Sequence, residues 1–147
     1  MDLSVLKQVM EELIPFNKFL GIQVESIEPG RALLSLPFRE ELIGDPVKRA
    51  LHGGVLSTLA DVAGGAAAWT SLPEPTARLS TVDLRVDYLR PGRLHTVYAE
   101  AITVRVGGRL AVTDMKMFHA GAESEPIATG KGVYVMKLSR HASKQGT

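Results

Sequence analysis

LHGGVLSTLADVAGGAAAWTSLPEP, residues 51–75, is the stretch on which the fold turns. A glycine pair opens it and two prolines close it. Its interior is rich in alanine, the residue that costs least in a helix. Gly64 and Gly65 do cost helix stability, so they predict a close contact with something else. The spacing predicts one long helix starting near Gly53. Residues three, four and seven away from Asp61 share its side. These are Gly54, Ser57, Thr58, Gly64, Gly65 and Ala68, all small. The other side carries Val55, Leu56, Leu59, Val62, Ala66 and Trp69, a face suited to packing on a sheet. One carboxylate is thus left on a face with room for a ligand or a second chain.

Outward from this helix the period changes. After Pro75, Val82, Leu84, Val86 and Tyr88 alternate with Thr81, Asp83, Arg85 and Asp87, the pattern of a half-buried strand. Pro91-Gly92-Arg93 breaks it. Two strand-like runs follow, about 95–106 and 109–119, joined at Gly107-Gly108, and a last run covers about 126–138. On the N-terminal side, residues 37–50 read as a polar connection. Residues 21–38, GIQVESIEPGRALLSLPF, read as two strands around a Pro29-Gly30 turn, with Leu20, Ile22 and Val24 alternating at their start. Residues 2–14 form an amphipathic helix that Pro15 ends. The order is helix, two strands, long helix, four strands. An antiparallel sheet of five to six strands wrapped around a central helix accounts for it, an α+β domain.

Composition fits this picture. The 147 residues suit one domain, 1–147, with its core at about 16–138 and a polar tail, 139–147, expected to fray. Hydrophobic residues make up 45% and charged residues 22%, a globular balance rather than a disordered one. Seventeen Lys and Arg against sixteen Asp and Glu, spread evenly, argue against a nucleic-acid partner. The absence of cysteine excludes a thiolate nucleophile, a thiolate metal site and disulfides, and fits a cytoplasmic location. The N-terminus does not read as a signal peptide, and no run approaches the roughly 20 apolar residues of a membrane helix. The four histidines, 52, 95, 119 and 141, show no metal-ligand spacing.

His52-Gly53-Gly54 at the helix start carries the second chemical signal. A helix N-terminus offers unpaired N–H groups and the positive end of the dipole. Glycine there lets a ligand approach the backbone, as an oxyanion site requires. A tight turn with no ligand would look the same in isolation, and a lone helical Asp more often faces water. Gly53 and Asp61 are eight residues apart, roughly 12 Å along a helix. One reacting carbonyl needs both within about 3 Å. If both act, two helices must pack antiparallel across a twofold axis, giving a homodimer with composite sites.

LHGGVLSTLADVAGGAAAW resembles the signature of the hotdog-fold acyl-CoA thioesterases of the phenylacetate-pathway type, the 4-hydroxybenzoyl-CoA thioesterase-like superfamily. The signature is His-Gly-Gly with an Asp eight residues after the first glycine. STVDLRVDYLRP is similar to the strand that follows it in the family, and the resemblance spans about residues 16–138. It implies that Asp61 activates water or attacks the thioester, and that the Gly53 N–H polarises the carbonyl. It implies that His52 organises the site and that Thr81 hydrogen-bonds near Asp61. Gly54, Arg90 and Arg109 are candidates for holding substrate, with Arg93 beside them as a further phosphate ligand. Relatives often carry Asn or Gln six residues before the histidine; here Pro46 stands there, after Asp45. The resemblance also implies an acyl-CoA substrate, a dimer or dimer of dimers, and no separate cofactor.

Two other functions fit parts of the sequence. A hotdog-type enoyl-CoA hydratase or dehydratase pairs a catalytic His with an acid from another motif. A non-catalytic acyl-CoA sensor would bind CoA esters without turning them over. The His-Gly-Gly pair with a helical Asp favours hydrolysis.

Overall fold

The computed structural model describes residues 2–73 and 77–138; the tail expected to fray lies outside them. The chain opens with α1, Leu3–Gln8, capped by the Asp2 side chain on the Ser4 N–H. A π-turn, Val9–Leu13, leads to α2, Pro15–Leu20. Pro15 therefore begins a helix as well as ending one. At the first helical position its missing N–H costs nothing. The buried Asn17 side chain donates to the Met10 carbonyl at 3.0 Å and ties the two pieces together. Gly21, at φ 81°, caps α2, so Leu20 closes a helix rather than entering a strand.

The hairpin β1, Gln23–Glu28, and β2, Arg31–Leu36, turns at Pro29–Gly30 as expected. The connection after it holds a short 3-10 turn, Glu40–Leu42, and a small ribbon of β3, Ile43–Asp45, with β4, Ala50–Leu51. The long helix, α3, runs from Gly53 to Trp69. Four strands follow: β5, Arg78–Tyr88; β6, Val97–Val106; β7, Leu110–Phe118; and β8, Ala128–Lys137.

Six strands form one antiparallel sheet in the order β1-β2-β6-β7-β8-β5. α3 packs against its inner face. Leu56, Leu59, Ala60, Ala63, Ala66 and Ala67 of the helix are buried there. Beneath them lie Ala32, Ala99, Ala101, Ala111 and Ala128, all at 0% exposure. Alanine on both surfaces brings helix and sheet close at full packing density. This is the α+β hotdog arrangement.

Strict alternation in β5 would put Val82, Leu84 and Val86 on one face and Thr81 on the other. The register shows otherwise. Thr81 pairs with Tyr134, whereas Asp83 pairs with Val133 and Leu84 with Gly132. Val82 is the extra residue of a β-bulge and is 60% exposed. Leu79 and Thr81 therefore face α3 before the bulge, and Leu84 and Val86 face it afterwards. A bulge re-aims a side chain in this way without breaking the strand.

Candidate active site

Asp61 lies half-buried at the middle of α3. Thr81 Oγ1 donates to Asp61 Oδ1 at 2.9 Å. The Tyr134 hydroxyl, from β8, is 3.0 Å from the Asp61 backbone carbonyl and 3.3 Å from the same Oδ1. Both side-chain contacts converge on Oδ1, which leaves Oδ2 for a water or an electrophile. Tyr134 is 1% exposed. Burial first, then the Asp61 charge and the hydrogen bond to it, push its phenol well above the usual range, so it stays a donor.

Tyr134 also explains two glycines. A Cβ on Gly64 would clash with the Tyr134 hydroxyl and lie 2.7 Å from Thr113 Oγ1. A Cβ on Gly132 would lie 2.6 Å from the Tyr134 ring. Gly64 thus faces the sheet, not the open side of α3 on which the sequence reading put it. Val62 and Trp69, read as sheet-packing residues, do pack against the core, and they also line a cavity of about 460 Å³ together with Asp61, Thr81 and Tyr134.

At the helix start, His52 is the N-cap. Its Nδ1 accepts the Gly54 N–H at 2.8 Å, so the Gly54 amide is already engaged. A neutral His52 then carries its proton on Nε2, toward solvent. Among the described residues the Gly53 N–H has no acceptor. Tyr88 flanks it: its hydroxyl donates to the Gly53 carbonyl at 3.0 Å and also bonds Ser57 Oγ. A Cβ on Gly53 would meet the Tyr88 ring at 3.2 Å.

Arg90 sits beside this end. With Gly53 and Tyr88 it lines a shallow cleft of about 330 Å³, and its Nη1 donates to the Pro126 carbonyl at 2.7 Å. A neighbouring cleft adds Arg93, His95 and His119. Arg109 is elsewhere. Its carbonyl accepts the Met136 N–H, while the Arg90 N–H reaches Ile127. Those partners are nine residues apart, Ile127 just before β8 and Met136 near its end, roughly 30 Å. One chain therefore does not bring Arg90 and Arg109 together. Asp45 accepts from the Val47 and Lys48 N–H groups, an Asx turn that places Pro46 at a corner. Among the described residues no group of three or more acidic or His side chains could hold a metal. No helix there is long and apolar enough to cross a membrane.

Tyr134 and Tyr88 escaped the sequence reading. Tyr88 lies in a strand whose alternation already explained it as packing, and Tyr134 in a run read only as a strand. The glycine at 132, two positions from Tyr134 on the same face, was the available signal.

The profile of the thioesterase superfamily matches residues 49–125. The chain belongs to this superfamily of hotdog thioester hydrolases. A protein of Halobacterium salinarum is 38% identical over 79% of this chain and 80% of its own length. The medium/long-chain acyl-CoA thioesterase YigI of Escherichia coli is 32% identical over 90% of this chain and 94% of its own. A crystal structure from Shewanella oneidensis, related to the thioesterase superfamily, superposes with a TM-score of 0.81 at 30% identity, covering 90% of this chain and 94% of that one. The PaaI protein of E. coli, at 23% identity and a TM-score of 0.77, shares the fold.

Proposed function

We propose that the chain hydrolyses acyl-CoA thioesters to a free acid and CoA, with Asp61 as general base. The observation that carries this is the Asp61 carboxylate in a largely apolar cavity, one oxygen held by Thr81 and Tyr134 and the other free. Oδ2 takes a proton from water as that water attacks the thioester carbon. The resulting oxyanion needs donors already aimed at it. The free Gly53 N–H at the α3 N-terminus supplies one, and the His52 Nε2–H supplies a second. Collapse of the intermediate expels the CoA thiolate, which the proton on Asp61 then neutralises. The name of YigI supports an acyl-CoA substrate. The reaction draws on no cofactor, because CoA is part of the substrate.

The 12 Å or so between Asp61 and Gly53 in one helix supports a composite site in a homodimer. β5 supplies a means of assembly. It pairs with β8 on one side, and its other side is unpaired among the described residues. Antiparallel pairing of β5 with its copy would run two α3 helices in opposite directions, Asp61 of each toward the N-terminus of the other. Arg90 and Arg93 then flank the Gly53 end, where the nucleotide phosphates of CoA would leave the site. Release of CoA thiol from a panel of acyl-CoAs, with the acid identified, tests the activity. CoA esters that bind but are never cleaved would refute it.

A further inference from the structure

We propose that Gly65 is a specificity-determining residue: it keeps open a channel along α3 that accepts straight acyl chains of about eight to ten carbons. This rests on the acyl-CoA thioesterase reading of Asp61.

The cavity does not stop at Asp61. Thr58, Asp61, Val62, Gly65 and Trp69 line it at three- and four-residue steps, a stripe down one side of α3. From Asp61 to Trp69 is eight residues, roughly 12 Å, the reach of about eight to ten extended methylenes. Met10, Ile14 and Phe16 of the N-terminal segment form one wall, and Leu79 and Leu84 of β5 another. Asn17 also borders it, with its amide committed to Met10. The carboxylate therefore stands one turn in from the end of the trough marked by Ser57 and Thr58, and the indole of Trp69 lies at the other end. That arrangement matches a thioester with a hydrocarbon tail.

The two adjacent helical glycines differ in what they accommodate. Gly64 has no room for a methyl group because Tyr134 and Thr113 fill the space. At Gly65 the nearest atoms to an added Cβ are Tyr134 Cε1 at 3.6 Å and Leu79 Cδ2 at 3.9 Å, ordinary contact distances. Protein packing therefore does not demand glycine there, although glycine weakens a helix interior relative to alanine. The space a side chain would take belongs to the cavity. Trp69, one turn further on, sets where the channel ends.

Gly65→Ala, Gly65→Val and Trp69→Ala would be assayed with butyryl-, octanoyl-, decanoyl- and tetradecanoyl-CoA, alongside thermal unfolding and oligomeric state. Gly65→Ala is expected to melt at or above the wild-type temperature. Both Gly65 variants should keep butyryl-CoA turnover within about twofold while kcat/KM for decanoyl-CoA falls tenfold or more. Trp69→Ala should move the optimum to longer chains. Equal losses at every length, or none, would overturn the inference while leaving the thioesterase reading intact. Uniform loss with an altered oligomeric state would make Gly65 a subunit contact and overturn it too. If the wild type cleaves no acyl-CoA, the thioesterase reading falls and the channel is judged by titration calorimetry of the same esters. Affinity that rises with chain length in the wild type and not in Gly65→Val would uphold it; length-independent affinity in both would sink it.

Discussion

Thr81 reaches Asp61 because β5 carries one residue more than its partner strand opposite. The bulge at Val82 turns Thr81 toward α3, where its hydroxyl donates to Asp61 Oδ1 at 2.9 Å. Thr81→Val keeps the shape and removes the donor. A hydrogen bond to a charged group contributes about 1.5–3 kcal/mol, so a loss of roughly 10- to 100-fold in kcat is expected. Thr81→Ser should retain most of the activity. Deleting Val82 leaves Leu79, Thr81, Leu84 and Val86 in unbroken alternation on the inner face, so the Thr81–Asp61 hydrogen bond and most of the activity should survive it. Unchanged kcat in Thr81→Val would mean that the bulge serves the fold alone.

Tyr134→Phe should lower kcat by about tenfold or more with little change in KM, because the lost donor acts on Asp61 and not on substrate. Its raised phenol pKa also has a consequence for stability. The unfolded chain releases this proton near pH 10 and the folded chain holds it longer. The unfolded state therefore binds fewer protons above that pH. Stability is fully present below about pH 10 and falls as pH rises beyond it, by up to about 1.4 kcal/mol per unit from this group. Urea unfolding at pH 9 and pH 11 should show a steeper loss for wild type than for Tyr134→Phe; parallel losses would contradict the assignment.

Gly64→Ala places a methyl group against the Tyr134 hydroxyl and Thr113. Overpacking of this kind costs about 1–3 kcal/mol despite the helix preference for alanine. The double variant Gly64→Ala with Tyr134→Phe should recover part of that loss, because the two sites share one contact. Chemical denaturation of the four proteins measures the coupling, and strict additivity would refute the shared contact.

Gly53→Pro removes an N–H at the first helical position, where proline fits the backbone. Loss of an oxyanion donor is expected to lower kcat about 100- to 1000-fold. Subunit mixing tests whether the site is shared. Equal amounts of Gly53→Pro and Asp61→Asn, exchanged at random, give hybrids with one intact site, restoring about a quarter of wild-type activity. A site contained within one chain would recover nothing.

The sequence carried the fold because its signals were local and agreed with one another. Alanine density marked α3, Pro29-Gly30 and Gly107-Gly108 marked hairpins, and the last three strands were bounded to within about two residues. Pro15 was read only as a stop, because the same chemistry that lets proline end one helix lets it start another. The bulge was invisible because period-two patterning has no term for an inserted residue. Asp61 and Thr81 stood out as motif positions, and the structure joins them by a hydrogen bond. Tyr134 did not, since its contact with Asp61 is set by sheet register and not by sequence spacing.

The central claim is that Asp61 performs the chemistry. The direct measurement is steady-state CoA release by wild type and Asp61→Asn on the best acyl-CoA, with unfolding curves to show that both are folded. The account predicts a fall in kcat of about 100- to 10,000-fold with CoA-ester binding retained. A folded Asp61→Asn variant that turns over at the wild-type rate would contradict it.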